Sequence, residues 1–243
     1  MERVNGSYIG NTPAVNVKQQ PGVNSMEQTL ELLENDSNIL RPNTDTLLSY
    51  TTLLLDMEDV DGQIVDTSGR NHIVRLMNNA TITTVDKASG NSSVFLNGSN
   101  AWIEIPSSYD NYFGSQDFTI ECTFKVLTLK ESAILSKEQT TSGTSGFLLY
   151  LITGTYRLTL LVGNGSSWFV NLQTGFIPVI NTWYNVAVSR QGNIWGVIVN
   201  GKLIASAISY EGPRYGDRPF QIGRYSPWNN VATDFHGYID QVR

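Results

Sequence analysis

Phe118-Thr119-Ile120-Glu121-Cys122-Thr123-Phe124-Lys125-Val126 is the stretch that decides the fold class. Apolar side chains occupy every second position, and Thr, Glu and Lys fill the places between them. A repeat of two belongs to an extended strand with one buried and one wet face. A helix would put Glu121 and Lys125 on one side but would scatter the aromatic rings around its surface.

Outward from this strand, both directions read the same way. Val94-Phe95-Leu96 and Trp102-Ile103-Glu104-Ile105 flank Asn97-Gly98-Ser99-Asn100, which predicts a hairpin. Downstream, Gly146–Ile152, Tyr156–Val162 and Trp168–Leu172 are apolar runs separated by Gly154 and by Gly163-Asn164-Gly165, both turn chemistry. Tyr184, Val186 and Val188 alternate again, and Trp195, Val197 and Val199 lead into Asn200-Gly201. Asn-Gly between apolar alternations is a strong hairpin signal, because both turn residues need positive φ. Short strands at this spacing, with no helical period between them, predict an all-β sandwich or jelly roll.

The first fifty residues read differently. Gly10 to Gly22 carries Pro13 and Pro21 and few large apolar side chains, so an extended segment without its own core is expected. A short helix then begins at Ser25 as N-cap, with Gln28 as its capping-box partner. Met26, Leu30 and Leu33 share one face of it. So short a helix is marginal alone and must dock on something. Residues 1–50 are therefore expected to be an arm making subunit contacts through Pro13, Val15, Met26, Leu30 and Leu33, and residues 51–243 to be the sandwich.

Composition narrows the function classes. Only 16% of the 243 residues are charged and 21 are glycine, which suits β-structure rich in turns. The net charge of −6 and the lack of a Lys/Arg cluster argue against nucleic acid or anionic lipid as partner. No apolar run reaches bilayer length, so no membrane insertion is expected. No apolar h-region follows Met1-Glu2-Arg3-Val4-Asn5-Gly6, so no secretory signal is expected either. Cys122 is the lone cysteine, which excludes an intramolecular disulfide and suggests a buried strand residue.

Several segments, in order, resemble the concanavalin A-like, laminin-G-like jelly-roll family. Leu53-Leu54-Leu55-Asp56-Met57-Glu58 with Asp66-Thr67-Ser68-Gly69-Arg70-Asn71-His72 looks like its opening strand and Asp-Ser-Gly-x-x-His turn. Asn91–Gly98 through Trp102–Pro106 resembles its second block, and Asp117–Phe124 its central strand. Asn181–Arg190 is similar to the strand that carries Trp, and Phe235–Arg243 to the closing piece. The lineage nearest in pattern is common in bacteriophage structural proteins. The resemblance therefore implies a virion protein assembled in the host cytoplasm: a head decoration, whisker or tail-associated subunit. Its partners would be other virion proteins, further copies of itself as a homo-oligomer and, on the adhesin alternative, a host-surface glycan. Family members often continue past the closing strand, so a longer gene product than Arg243 is open.

Three chemistries follow as expectations. No Glu-x-Asp-x-Glu run sets an acid and a nucleophile on one strand face, as related glucan-cleaving sandwiches do, so a glycoside hydrolase is the minor alternative and a non-enzyme the main one. His72 and His236 have no spacing that marks a base or metal ligand and are expected to be structural. A structural calcium (Ca2+) is implied by the resemblance, with Glu58 and Asp240 on neighbouring strands and carbonyls near Asn97. Tyr215, Tyr225, Trp228 and Asn229 combine rings and amides as a glycan-binding loop, with Tyr109, Tyr112 and Trp168 as further candidates. A host-surface adhesin that binds glycan is accordingly the main alternative to a purely structural subunit.

Overall fold

A computed structural model describes residues 48–139, 142–214, 218–225 and 233–243. The expected arm contacts at Pro13, Val15, Met26, Leu30 and Leu33 lie outside the described residues. So do Tyr215, Trp228 and Asn229. Contacts along the chain divide into two units between Thr44 and Asp45, and the second unit is the sandwich.

Two seven-stranded antiparallel sheets form it. Numbered in chain order, the first sheet runs β1 (Arg75–Asn78), β4 (Ala101–Ile105), β13 (Phe220–Ile222), β6 (Ser132–Gln139), β7 (Ser142–Leu151), β8 (Leu158–Asn164) and β9 (Trp168–Gln173). The second runs β12 (Lys202–Ile208), β11 (Ile194–Val199), β10 (Trp183–Gln191), β5 (Phe118–Val126), β16 (His236–Val242), β3 (Ser93–Asn97) and β2 (Thr81–Thr83). A separate ribbon pairs β14 (Arg224–Tyr225) with β15 (Thr233–Asp234).

The inward half of the β5 alternation is realised as read, while Thr123 on the outward face is buried as well. Ile120, Cys122, Phe124 and Val126 are buried between the sheets, and Phe124 meets Phe235 edge to face at 6.2 Å. Burial, with the charge of Asp240, pushes the Cys122 thiol far above its usual range, so it is an inert apolar core group. Asn200 and Gly201 both take positive φ, at 49° and 76°, and join β11 to β12 as the hairpin expected.

The expected hairpin at Asn97–Asn100 is not one. Strand β3 pairs with β16 and β2, while β4 pairs with β1 and β13, so the turn carries the chain from one sheet to the other. The physical reason is the apolar pattern itself. Val94 and Leu96 from one sheet, and Ala101, Ile103 and Ile105 from the other, must all reach the same core.

The opening turn acts as a clasp. Leu55 bridges both Asp66 and Val242, so the first and last parts of the sandwich meet here. The Asp66 carboxylate is buried and accepts four hydrogen bonds. Leu54 N and Ser68 N reach Oδ1 at 3.0 and 2.9 Å, and His72 N and Ser68 Oγ reach Oδ2 at 3.0 Å each. His72 Nε2 lies 3.4 Å from Asp110 Oδ2, which ties the clasp to the 3-10 turn Tyr109–Asn111. Thus Asp66-Thr67-Ser68-Gly69-Arg70-Asn71-His72 supplies a carboxylate, three of the four donors that ring it, and Gly69 at φ 85° to close the turn.

Burial alone would raise the Asp66 carboxyl, but the hydrogen bonds outweigh it and hold the group below its usual 3.8. A depressed folded-state value means stability that is present above the unfolded value and lost as pH falls through the folded one. Asp66→Asn keeps one acceptor but turns an amide N–H toward donors, and should cost about 1–3 kcal/mol at pH 7. Thermal unfolding from pH 7 to pH 2.5 should show the native chain losing stability below about pH 4, with the loss smaller in Asp66→Asn. Parallel curves for the two proteins would assign the acid transition to other carboxylates.

Candidate functional site

The outer face of the first sheet carries an apolar recess. In β7, Phe147, Leu149 and Leu151 point into the core, so Leu148 and Tyr150 point outward. Yet both outward residues are also buried, as are Ala133 on β6 and Leu161 on β8. They are cross-strand neighbours, Ala133 opposite Tyr150 and Leu148 opposite Leu161, and together form a floor. Trp168, at the start of β9, and Tyr225, on β14, pack against this floor as walls. Glu131 and Thr233 complete the lining of a cavity of about 140 Å³.

The wall on the β14–β15 side is held from below. Ser136 Oγ donates to the Arg224 carbonyl at 2.7 Å, fixing the ribbon to β6. The Arg224 guanidinium lies 3.9 Å over the Trp102 ring, contacts Asp234 Oδ1 at 3.3 Å and donates to Asn100 Oδ1 at 2.9 Å. Asn100 N donates in turn to Asp234 Oδ2 at 2.6 Å. Tyr225 and Thr233 are cross-strand partners, so anchoring Arg224 and Asp234 sets both residues that face the recess.

The chemistry of the recess is aromatic and mildly acidic. Burial raises the Tyr150 hydroxyl above its ordinary value, and the negative charge of Glu131 adds to the rise. Tyr150 therefore stays a protonated phenol, a donor and acceptor at any physiological pH. The indole N–H of Trp168 is another donor. Rings that offer apolar faces beside a few hydroxyl, carboxylate and N–H groups suit a ligand with both C–H faces and hydroxyls.

Among the ring-bearing candidates from the sequence, Tyr225 and Trp168 come together here. Tyr109, 96% exposed, and Tyr112, about half exposed, do not line the recess. Sequence reasoning missed Tyr150, Leu148, Leu161, Glu131 and Thr233. A signal for three of them was present: the runs Phe147–Ile152 and Leu158–Val162 are apolar almost without interruption, which marks strands covered on both faces.

The three residues expected around a cation are only partly gathered. A β-bulge at Gln241, φ 48°, keeps Val242 in the core and turns Asp240 toward the loop before β3. Ala88 N and Ser89 N donate to Asp240 Oδ2 at 2.8 and 3.0 Å, and Asn91 N donates to Glu58 Oε1 at 2.8 Å. A Cβ at Gly90 would sit 1.6 Å from Glu58 Oε1, so a side chain there would displace the end of Glu58 from the loop. Asp240 Oδ1 is buried without a well-formed hydrogen bond. Burial raises the Asp240 carboxyl, the amides of Ser89, Ala88 and Gln241 oppose the rise, and the charge of Glu58 adds to it. Asn97 lies elsewhere: it pairs with His236, four residues from Asp240, about 13 Å along the strand. Its side chain accepts from Ser99 N and closes its own turn. Among the described residues no group of three or more His, Cys, Asp or Glu side chains converges. His236 Nδ1 is 2.8 Å from Thr128 Oγ1, and its ring packs edge-on against Phe95.

A family model for the concanavalin A-like lectin/glucanases superfamily matches residues 97–243. No curated protein matches the chain in sequence. Solved structures match in fold. The binding domain of Paraclostridial Mosquitocidal Protein 1 superposes with a TM-score of 0.63 at 16% identity, covering 80% of this chain and 48% of that one. Domain 4 of AbnA, a GH43 extracellular arabinanase from Geobacillus stearothermophilus in complex with arabinotriose, gives 0.60 at 17% identity over 79% of this chain and 90% of that domain. The receptor binding domain of botulinum neurotoxin C/D mosaic serotype gives 0.60 at 16%, over 79% and 46%. This chain thus spans about half the length of the two toxin domains, and at these identities the likeness is one of fold.

Proposed function

This chain belongs to the concanavalin A-like lectin/glucanases superfamily, and on that premise we propose that its sandwich is a non-catalytic module that binds carbohydrate in the recess of the first sheet. The observation that carries the reading is the convergence of Trp168, Tyr150 and Tyr225, from three separate strands, on one cavity with Glu131 and Thr233. The arabinotriose held by the arabinanase domain and the receptor-binding role of the toxin domain support a binding use of the fold. Non-catalysis is supported by the lining. Glu131 is the one carboxylate among the described lining residues, whereas glycosidic cleavage usually takes two.

The setting we propose is a virion surface, with residues 1–50 as the anchor to neighbouring subunits. Its support is the contrast between that core-poor segment and the sandwich, together with the order of family segments in the sequence. The recess would then meet a host-surface glycan while the arm meets virion proteins and other copies of the chain.

We also propose one structural calcium at Glu58 and Asp240. The fit rests on the orphaned, buried Asp240 Oδ1 and on the repulsion between two carboxylates that a cation would relieve. Calcium there would cross-link the segment after Leu55 to the closing strand.

Trp168→Ala should weaken glycan binding at least about tenfold, since an aromatic–sugar stack is worth a good fraction of the 1.4 kcal/mol that tenfold represents. The measurement is saturation-transfer NMR or calorimetry against a panel that includes arabinotriose, with thermal unfolding to check the fold. Wild-type binding untouched by Trp168→Ala would move the site elsewhere. Millimolar calcium should raise the melting temperature of the native chain and leave Asp240→Asn unchanged. An equal response in both proteins would remove the calcium proposal. Deleting residues 1–50 should abolish incorporation into particles while leaving sugar affinity as it was. Normal incorporation of the truncated chain would discard the anchor role.

A further inference from the structure

The electrostatics of the recess carry the glycan reading one step further, toward the class of sugar. Glu131 is exposed on the cavity lining and makes no ion pair or hydrogen bond among the described residues. Its negative charge reaches Tyr150 on the floor, where it adds to the rise in the phenol's titration. No Lys or Arg lines the cavity among the described residues. On the wall, Arg224 precedes Tyr225, but its guanidinium is engaged by Asp234 at 3.3 Å, by Asn100 and by the Trp102 face. Lys130, next to Glu131 in sequence, directs its ammonium to the Gly98 carbonyl at 2.6 Å.

A bound carboxylate would therefore enter without a counter-charge and beside a like charge, losing hydration with little in return. Neutral hydroxyls would meet the opposite situation. A carboxylate accepts two O–H groups at once, the phenol and the indole N–H donate, and the rings of Trp168 and Tyr225 take the C–H face. An amino group on the sugar would gain further by charge-assisted hydrogen bonding to Glu131. We infer that this recess selects neutral and amino sugars and rejects acidic ones, with Glu131 as the residue that sets the preference. The inference rests on the carbohydrate reading of the same site.

The test uses matched methyl β-glycosides differing at one group: glucose, glucosamine and glucuronic acid, and the same three in the galacto series. Binding of each is measured by saturation-transfer NMR titration on the full chain at pH 7 and low salt. In at least one series the neutral sugar should bind at least about tenfold more tightly than the acid, with the amino sugar equal to or tighter than the neutral one. Glu131→Gln, at an exposed position that leaves the core untouched, should bring the acid within about threefold of the neutral sugar. Raising salt should shrink the native preference in the same direction, because an exposed charge is screened. Acidic sugars that bind as tightly as neutral ones, or a ratio unmoved by Glu131→Gln, would overturn the selectivity and leave the site standing. No binding in either series would overturn the selectivity together with the carbohydrate reading beneath it.

Discussion

The second sheet depends on its closing strand being threaded between two strands made much earlier in the chain. Strand β16 pairs with β5 on one side and β3 on the other. Nearly every buried backbone N–H and C=O must find a partner. Without residues 236–242, the inner edges of β3 and β5 would each present an unpaired row. Leu55 then pairs with Val242, so the opening segment cannot settle before the last one is in place. Such pairing across almost the whole sandwich length places the molecule among slow, non-local folders. It also explains the concentration of polar devices on this seam. Asp66 accepts from the donors of the opening turn, Asp240 captures the loop before β3, and Arg243 donates to Thr51 Oγ1 at 3.1 Å.

How much of this was legible in the sequence depends on whether a feature is local. The β5 strand and the Asn200-Gly201 turn are decided within a few residues, by side-chain alternation and by positive φ, and both stand as read. The Asn97-Gly98 turn obeys the same local chemistry, with Gly98 at φ 75°. What it lacks is any local mark of which sheet each flanking strand joins. A hairpin and a corner between sheets use the same turn residues, and only the demand of the shared core separates them. Glu58 and Asp240 are drawn to one loop, whereas Asn97 is separated from them by strand length, a distance fixed by register rather than composition.

The recess was harder to see for the same reason. Its lining comes from positions 131, 148, 150, 161, 168, 225 and 233, brought together by the strand order of a sheet that no single segment specifies. The trace it leaves in the sequence is a missing alternation. In β5 the outward positions are Thr119, Glu121, Thr123 and Lys125, all polar. In β7 and β8 they include Leu148, Tyr150 and Leu161, which water would not favour. An outward apolar run on a sheet means that something covers it, and here the cover is Trp168 and the β14–β15 ribbon.

Among the described residues that cover leaves a cavity between its two sides. If the ribbon lay flat on the floor, the outer face would be a second small core with no vacancy. Instead the Arg224–Trp102 stack and the contact with Asp234 hold the ribbon at one side, over β4 and β6, while Trp168 stands on β9 at the other. The walls are thus fixed by contacts outside the cavity, so a ligand does not have to order them on arrival. Rigid walls reduce the entropy lost on binding, which matters most for small, weakly bound ligands. On the proposed carbohydrate reading, a recess of about 140 Å³ would take one sugar ring at the end or edge of a glycan. Affinity for a larger surface would come from many such modules acting together, which the proposed homo-oligomer would supply.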